Sequence, residues 1–157
     1  MSIDLGIGEK QRENVAEALE VFLADTYALY LKTQNYHWKV KGPHFQPLHE
    51  EFEKQYRDLA EASDKIAEQI RALGFPAPGS FSAFQELTNV KEANDNKVVA
   101  AEQMVETLAD DNELIVRSAN QALEKANEAG DEGSADLLAE RIRKHEKTAW
   151  MLRSMAA

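Results

Sequence analysis

The segment NYHWKVKGPHFQPLHEEFE, residues 35–53, contains the end of one helix-forming run and the start of another. Gly42 and Pro43 separate the two runs. Pro47 falls in the first turn of the second run, where its missing N–H costs little. Because only about five residues join the two predicted helices, we expect them to lie antiparallel as neighbours.

Apolar and small residues recur at steps of three and four on both sides of this break, which is typical of helices with one buried face. Over about residues 9–40 the stripe comprises Val15, Leu19, Phe22, Thr26, Leu29, Thr33 and Tyr36. Over about residues 45–73 it comprises Leu48, Phe52, Leu59, Ile66, Ile70 and Leu73. Gly74 stands where a left-handed cap would end the second helix, and Pro76 prevents its continuation.

The second half of the chain predicts two further long helices, and no segment shows the alternation of a strand. Over about residues 91–129 the stripe comprises Val98, Ala101, Val105, Leu108, Asn112, Ile115, Ala119, Ala122 and Ala126. Over about residues 134–154 it comprises Leu138, Ile142, His145, Ala149 and Leu152. The connection over residues 74–90 is long enough to cross a bundle, and within it residues 80–87 predict a short extra helix, an irregular loop being the alternative. We therefore predict an all-α, ferritin-like four-helix bundle with a short helix in its long crossover.

Composition narrows the classes of function. The 157 residues carry 18 Lys and Arg against 28 Asp and Glu, a net charge of −10 that disfavours general binding to nucleic acid and favours cations. The chain has no Cys, which excludes disulfides, thiolate metal sites and a cysteine nucleophile. The absence of a long apolar run or a secretion signal at the start leads us to expect a cytoplasmic protein without a membrane span.

His37 and His49 fall on either side of the predicted turn, so the two antiparallel helices should bring them side by side. Farther along the second helix, Asp64 and Glu68 form a carboxylate pair on one face. His49 and Asp64 are 15 residues apart, about 22 Å along one helix, so they cannot bind one ion in one chain. They do share roughly one face, and two copies of this helix packed antiparallel near Tyr56 would bring them together.

The sequence resembles the ferroxidase signature of the Dps family, the miniferritins or DNA-binding proteins from starved cells. The resemblance rests on the quoted segment, with His37 and His49, followed by Asp64 and Glu68 at the spacing of that signature. Ala135-Asp136 after an acidic loop and Trp150 also fit. The resemblance covers essentially the whole chain and implies one ferritin-like domain over residues 1–157, with a short N-terminal tail over about residues 1–8.

The resemblance implies a ferroxidase that oxidises Fe(II) with hydrogen peroxide and stores the ferric mineral in a hollow homododecamer, protecting DNA from oxidative damage. It assigns His37 and His49 of one subunit, with Asp64 and Glu68 of its two-fold mate, as the catalytic iron ligands. Glu53 would assist a second iron in this di-iron site. Zn or Mn could substitute for iron, since imidazole and carboxylate ligands do not select one metal strictly.

Four further residues have roles that only the resemblance implies. Trp38 would act as a radical sink beside the site, its alternative role being packing. Asp131, Glu132 and Asp136 would line a three-fold pore that admits Fe(II), with stabilising charges at a helix start as the alternative.

The remaining features bear on DNA and on the other histidines. The Lys-rich tail of many DNA-binding family members is absent, because residues 1–13 carry only Lys10 and Arg12, so we expect weak or no DNA binding. The rival hypothesis is a DNA-associating structural protein in which any metal is incidental. Association of the cytoplasmic protein with the nucleoid is left open. His44 is expected in the exposed turn, and His145 is expected in the core rather than at a metal.

Overall fold

The computed structural model describes residues 2–157, and this part of the chain contains five α-helices and no strand. They are α1 (Glu9–Lys39), α2 (Phe45–Ala72), α3 (Phe81–Leu87), α4 (Ala101–Ala129) and α5 (Glu132–Ala156). The prediction of an all-α bundle with a short helix in the crossover is confirmed. Ser80 caps α3, as its hydroxyl accepts a hydrogen bond from the Ala83 amide.

Two antiparallel hairpins form the bundle, α1 with α2 and α4 with α5, and α1 also packs on α4. The predicted stripes line the core between them. All the stripe residues of the first two helices are buried, as are most of those on α4 and α5. Gly74, with a φ of +100°, ends α2, and Gly130, with a φ of +69°, ends α4 in the left-handed conformation.

The predicted start of the third long helix is wrong, because α4 begins at Ala101 rather than near residue 91. Val98, assigned to its buried stripe, is 82% exposed. The Asn94 side chain accepts a hydrogen bond from the Asn96 amide, and the Asn94 carbonyl accepts one from the Lys97 amide. Such local bonds compete with a helix, so residues 91–100 form turns and extended chain.

Two buried polar residues of α1 hold the crossover in place. The carboxylate of Asp25 accepts hydrogen bonds from the Thr88 hydroxyl, the Asn89 amide and the Ser118 hydroxyl of α4. Lys32 donates to the Lys91 carbonyl at 2.7 Å and forms an ion pair with Asp111 of α4 at 2.8 Å. The crossover therefore has one fixed path over α1, and this path positions α3.

The segment before α1 also contacts the bundle. Arg12 donates to the Ile7 carbonyl and, at 2.7 Å, to the Leu73 carbonyl at the end of α2. The predicted tail over about residues 1–8 thus packs near the α2 terminus, except for Met1, which lies outside the described residues. None of the helices within residues 2–157 has the length and apolar character needed to span a membrane.

Candidate metal centre

The imidazoles of His37 and His49 stack against each other across the α1–α2 turn. Their ring centroids are 3.8 Å apart and the rings are 13° from parallel. His37 Nδ1 lies 2.6 Å from the His49 carbonyl oxygen, and His49 Nδ1 lies 2.7 Å from the His37 carbonyl oxygen. The prediction that the antiparallel turn brings these two residues side by side is confirmed.

These reciprocal hydrogen bonds determine which nitrogen of each ring can bind a metal. A carbonyl oxygen only accepts, so each Nδ1 carries the proton and donates it. Each neutral ring then keeps its lone pair on Nε2. An imidazole held at one nitrogen by a backbone carbonyl, with the other nitrogen available, is the usual arrangement of a metal-ligating histidine.

Glu53 lies beside the free nitrogen of His37. Its carboxylate oxygen is 3.7 Å from His37 Nε2, and its second oxygen accepts a hydrogen bond from Arg57 at 3.1 Å. Glu53 follows His49 by one helical turn on α2, so both project toward α1. The set of nitrogen and oxygen donors without sulfur suits Fe, Mn or Zn.

Tyr56 is a further neighbour of the site, although the sequence motif does not mark it as a site residue. Its ring lies 5.2 Å from the His37 ring in an edge-on arrangement, and the Arg57 guanidinium lies 5.6 Å from the Tyr56 centroid. The signal was present in the spacing, because Tyr56 follows His49 by two helical turns and Glu53 by one.

Asp64 and Glu68 are exposed on the same unbroken helix as His49, and the chain does not bring them to the histidines. At 1.5 Å per residue, 15 residues of α2 separate His49 from Asp64 by about 22 Å. Within residues 2–157 no group of three or more His, Asp and Glu side chains is placed to hold a metal ion. Lys65 pairs with Glu61 and Arg71 donates to the Phe75 carbonyl, so neither cation neutralises the Asp64 and Glu68 pair.

The other aromatic and histidine candidates have different environments. Trp38 is 65% exposed, so in the single chain it is not a packing residue of the core. It lines a groove of about 540 Å³ between α1, α3 and the following segment. His44 precedes α2 and is exposed.

His145 is a buried core residue, as predicted. Its Nδ1 donates to Asn112 of α4 at 2.8 Å, and its Nε2 accepts from Arg141 at 2.9 Å. Both ring nitrogens are therefore used within the bundle. Burial, with the positive charge of Arg141, lowers the pKa of His145 to about 3, so the ring is neutral near pH 7.

Asp58 of α2 completes this polar network. Burial acts to raise the pKa of Asp58, but hydrogen bonds from Arg141 and Lys144 outweigh it and leave the pKa below its usual value. The two cations therefore link α5 to α2.

The three acidic residues assigned to a pore differ in exposure. Asp131 is buried and caps α5, since its carboxylate accepts hydrogen bonds from the Ser134 amide at 3.1 Å and the Ser134 hydroxyl at 2.6 Å. Glu132 and Asp136 are exposed on the first turns of the same helix.

Comparison with known proteins decides the family. The ferritin-like domain family matches residues 16–157. A DNA protection during starvation protein of Bacillus anthracis is 37% identical over 90% of this chain and 96% of its own length. The chain belongs to the Dps family of ferritin-like proteins.

Further similarity extends over the whole of this Dps-family chain. An uncharacterized low temperature-induced protein of Nostoc is 40% identical, over 97% of this chain and 85% of that protein. The crystal structure of a Dps protein from Vibrio cholerae superposes with a TM-score of 0.93 and 32% identity, covering 100% of this chain and 98% of the other. That protein is described as a member of a broad superfamily of ferritin-like diiron-carboxylate proteins. Membership of the Dps family supports iron storage and DNA protection as the general class of function.

Proposed function

We propose that this protein is a ferroxidase that oxidises Fe(II) with hydrogen peroxide at di-iron sites between subunits. It stores the ferric product inside a hollow dodecamer and so protects DNA in the cytoplasm from oxidative damage. Iron enters this scheme as the substrate.

The observation that carries the proposal is the fixed pair of imidazoles. The backbone hydrogen bonds of His37 and His49 leave both Nε2 lone pairs available, and Glu53 lies 3.7 Å from the His37 nitrogen. These nitrogen and oxygen donors suit iron, and they form an incomplete site until further ligands join them. The missing ligands would be oxygens from another molecule, because the described part of this chain brings no second acid to the pair.

A two-fold mate can supply those oxygens. Asp64 and Glu68 are exposed, and neither Lys65 nor Arg71 neutralises them. His49 and Asp64 lie equally far along α2 from a point between residues 56 and 57. An antiparallel α2 crossing there would place the mate's acids beside the histidines, twice in each dimer. The exposed groove with Trp38 and Phe81, which is 78% exposed, provides apolar surface for such a contact.

The remaining residues are assigned accessory roles. Trp38 would serve as a radical sink near the iron. Glu132 and Asp136 would attract Fe(II) at a three-fold pore, aided by the net charge of −10. Asp131 would act there mainly by capping α5, since its oxygens bind Ser134. Zn or Mn could occupy the same ligands.

The test is a variant with His37→Ala and His49→Ala, compared with His44→Ala as the matched control. We expect the double variant to retain the assembled mass but to lose rapid oxidation of Fe(II) by peroxide, followed by the absorbance of the ferric product. The His44 variant should oxidise iron at the wild-type rate. Wild-type turnover in the double variant would contradict the assignment of the histidines.

A further inference from the structure

A continuous series of aromatic contacts leads away from the histidine pair along α1. The ring centroids of His37 and Tyr56 are 5.2 Å apart. Those of Tyr56 and Tyr30 are 6.1 Å apart, and those of Tyr30 and Tyr27 are 5.3 Å apart. Beyond Tyr27 the ring of Phe84 in α3 follows at 4.8 Å. We infer that Tyr56, Tyr30 and Tyr27, here called the tyrosine series, carry oxidising equivalents away from the metal site one electron at a time.

The placement of Tyr56 makes the series continuous. Tyr30 and His37 lie on one face of α1 but are seven residues apart, about 10 Å along the helix axis. The ring of Tyr56, which belongs to α2, lies between the rings of Tyr30 and His37 and packs against both. Electron tunnelling weakens exponentially with distance, so adjacent rings provide a path that two separate side chains would not.

The residue type matters as much as the spacing. The chain has four tyrosines, and three of them form the series. Tyrosine is one of the few side chains that can lose an electron and a proton reversibly. Apolar packing alone would be equally satisfied by phenylalanine, as at Phe84. The fourth, Tyr36, is buried on another face of α1, near Phe52 at 6.5 Å, and provides an internal control.

The chemistry balances with the substrates of the proposed function, on which this inference rests. Fe(II) reacting with peroxide in a one-electron step gives Fe(III), hydroxide and a hydroxyl radical. The radical takes a hydrogen atom from Tyr56, so the phenol O–H bond breaks, water forms and a tyrosyl radical remains. Tyr30 and then Tyr27 reduce that radical in turn.

A second Fe(II) at the metal site then returns an electron along the series to the last tyrosyl radical, which takes a proton from solvent and becomes tyrosine again. The hydroxide formed in the first step takes a second proton and becomes water. The sum is two Fe(II), one peroxide and two protons converted to two Fe(III) and two waters. No hydroxyl radical then leaves the protein.

The first experiment uses the assembled protein, mixed with Fe(II) and peroxide, frozen and examined by electron paramagnetic resonance. We expect a tyrosyl radical signal in the wild type and in Tyr36→Phe, and loss of most of it in Tyr56→Phe with more hydroxyl radical captured by a spin trap. Each substitution removes only a hydroxyl group, and light scattering checks that assembly is unchanged. An undiminished signal in Tyr56→Phe, or no tyrosyl signal in the wild type, overturns the inference.

The second experiment contains no iron, so it separates this inference from the proposed function. Azide radicals from pulse radiolysis oxidise the aromatic side chains, and absorbance follows transfer from tryptophan to tyrosine. We expect this transfer in the wild type and in Tyr36→Phe, and its loss in the triple variant Tyr27→Phe, Tyr30→Phe, Tyr56→Phe. Unchanged electron transfer in the triple variant overturns the inference about the tyrosine series. If the transfer is lost in the triple variant and the wild-type protein fails to oxidise Fe(II), the inference about the tyrosine series is supported and only the ferroxidase proposal is refuted.

Discussion

At the scale of the residue, His145 has a protonation state that its surroundings determine. The ring is buried between α4 and α5, donates to Asn112 and accepts from Arg141, while Lys144 and the Asp58 carboxylate of α2 lie nearby. Burial is the main cause that lowers the pKa of His145 to about 3. A histidine in an unfolded chain titrates near pH 6.5, so below about that pH the unfolded state binds a proton that the folded state does not.

This difference predicts a loss of stability on acidification. Between about pH 6.5 and pH 3 the free energy of unfolding should fall as pH falls, and at about pH 4.5 this residue should account for about 2–3 kcal/mol. In His145→Gln the group cannot titrate, although its amide can still pair with Asn112 and Arg141. We expect the melting temperature to drop less between neutral and acid pH in the variant, at equal protein concentration. Equal drops in the two proteins would show that His145 does not make this contribution.

The site could be predicted at this scale only in part. His37 and His49 were placed together by the short turn between two amphipathic helices, which spacing alone reveals. The mutual backbone bonds that fix their tautomers depend on the angle at which α1 and α2 meet, and the sequence pattern does not encode that angle directly. For the same reason the sequence indicates Tyr56 only as a midpoint of α2, although its ring centroid lies 5.2 Å from that of His37.

At the scale of the element, the crossover is the segment whose structure the local hydrophobic pattern does not predict correctly. The periodicity located α1, α2 and α5 closely because their buried faces repeat regularly over many turns. It placed the start of α4 about ten residues too early. Asp95 binds Asn35 and Lys39 of α1, a contact across the fold that draws residues 91–100 away from helix. Long-range pairing of this kind leaves no periodic signal.

The hydrogen bonds that Asp25 accepts from the crossover and from α4 give a prediction for the crossover. Asp25→Ala would leave the Thr88 and Ser118 hydroxyls and the Asn89 amide without their acceptor, which should lower the free energy of unfolding by about 2–4 kcal/mol. Hydrogen exchange at residues 88–91 should accelerate more than exchange in α4. Glu17→Ala removes an exposed acid from the same helix and should change neither quantity noticeably. Unchanged exchange at residues 88–91 in the Asp25 variant would mean that the crossover is held by other contacts.

At the scale of the whole molecule, the proposed site requires two chains, and this requirement can be tested by mixing inactive subunits. One parent carries His37→Ala and His49→Ala, and the other carries Asp64→Asn and Glu68→Gln. Each parent should assemble, with a mass about twelve times the 17.6 kDa subunit, and neither should oxidise Fe(II) rapidly. In a mixed two-fold dimer the intact histidines of the second parent face the intact acids of the first, so one of the two sites is complete.

Unfolding and refolding the parents together in equal amounts should therefore restore about a quarter of the wild-type sites, because random pairing makes half of the dimers mixed. The measurement is the initial rate of peroxide-driven Fe(II) oxidation per subunit, with the parents refolded separately and then combined as the control. A site built within one chain would need all four residues in the same subunit, and no mixed dimer could then regain activity. If mass spectrometry verifies mixed assemblies and these show no rapid Fe(II) oxidation, the shared site is ruled out. An oxidation rate near one quarter of the wild-type rate would require that α2 of each subunit faces α2 of its mate.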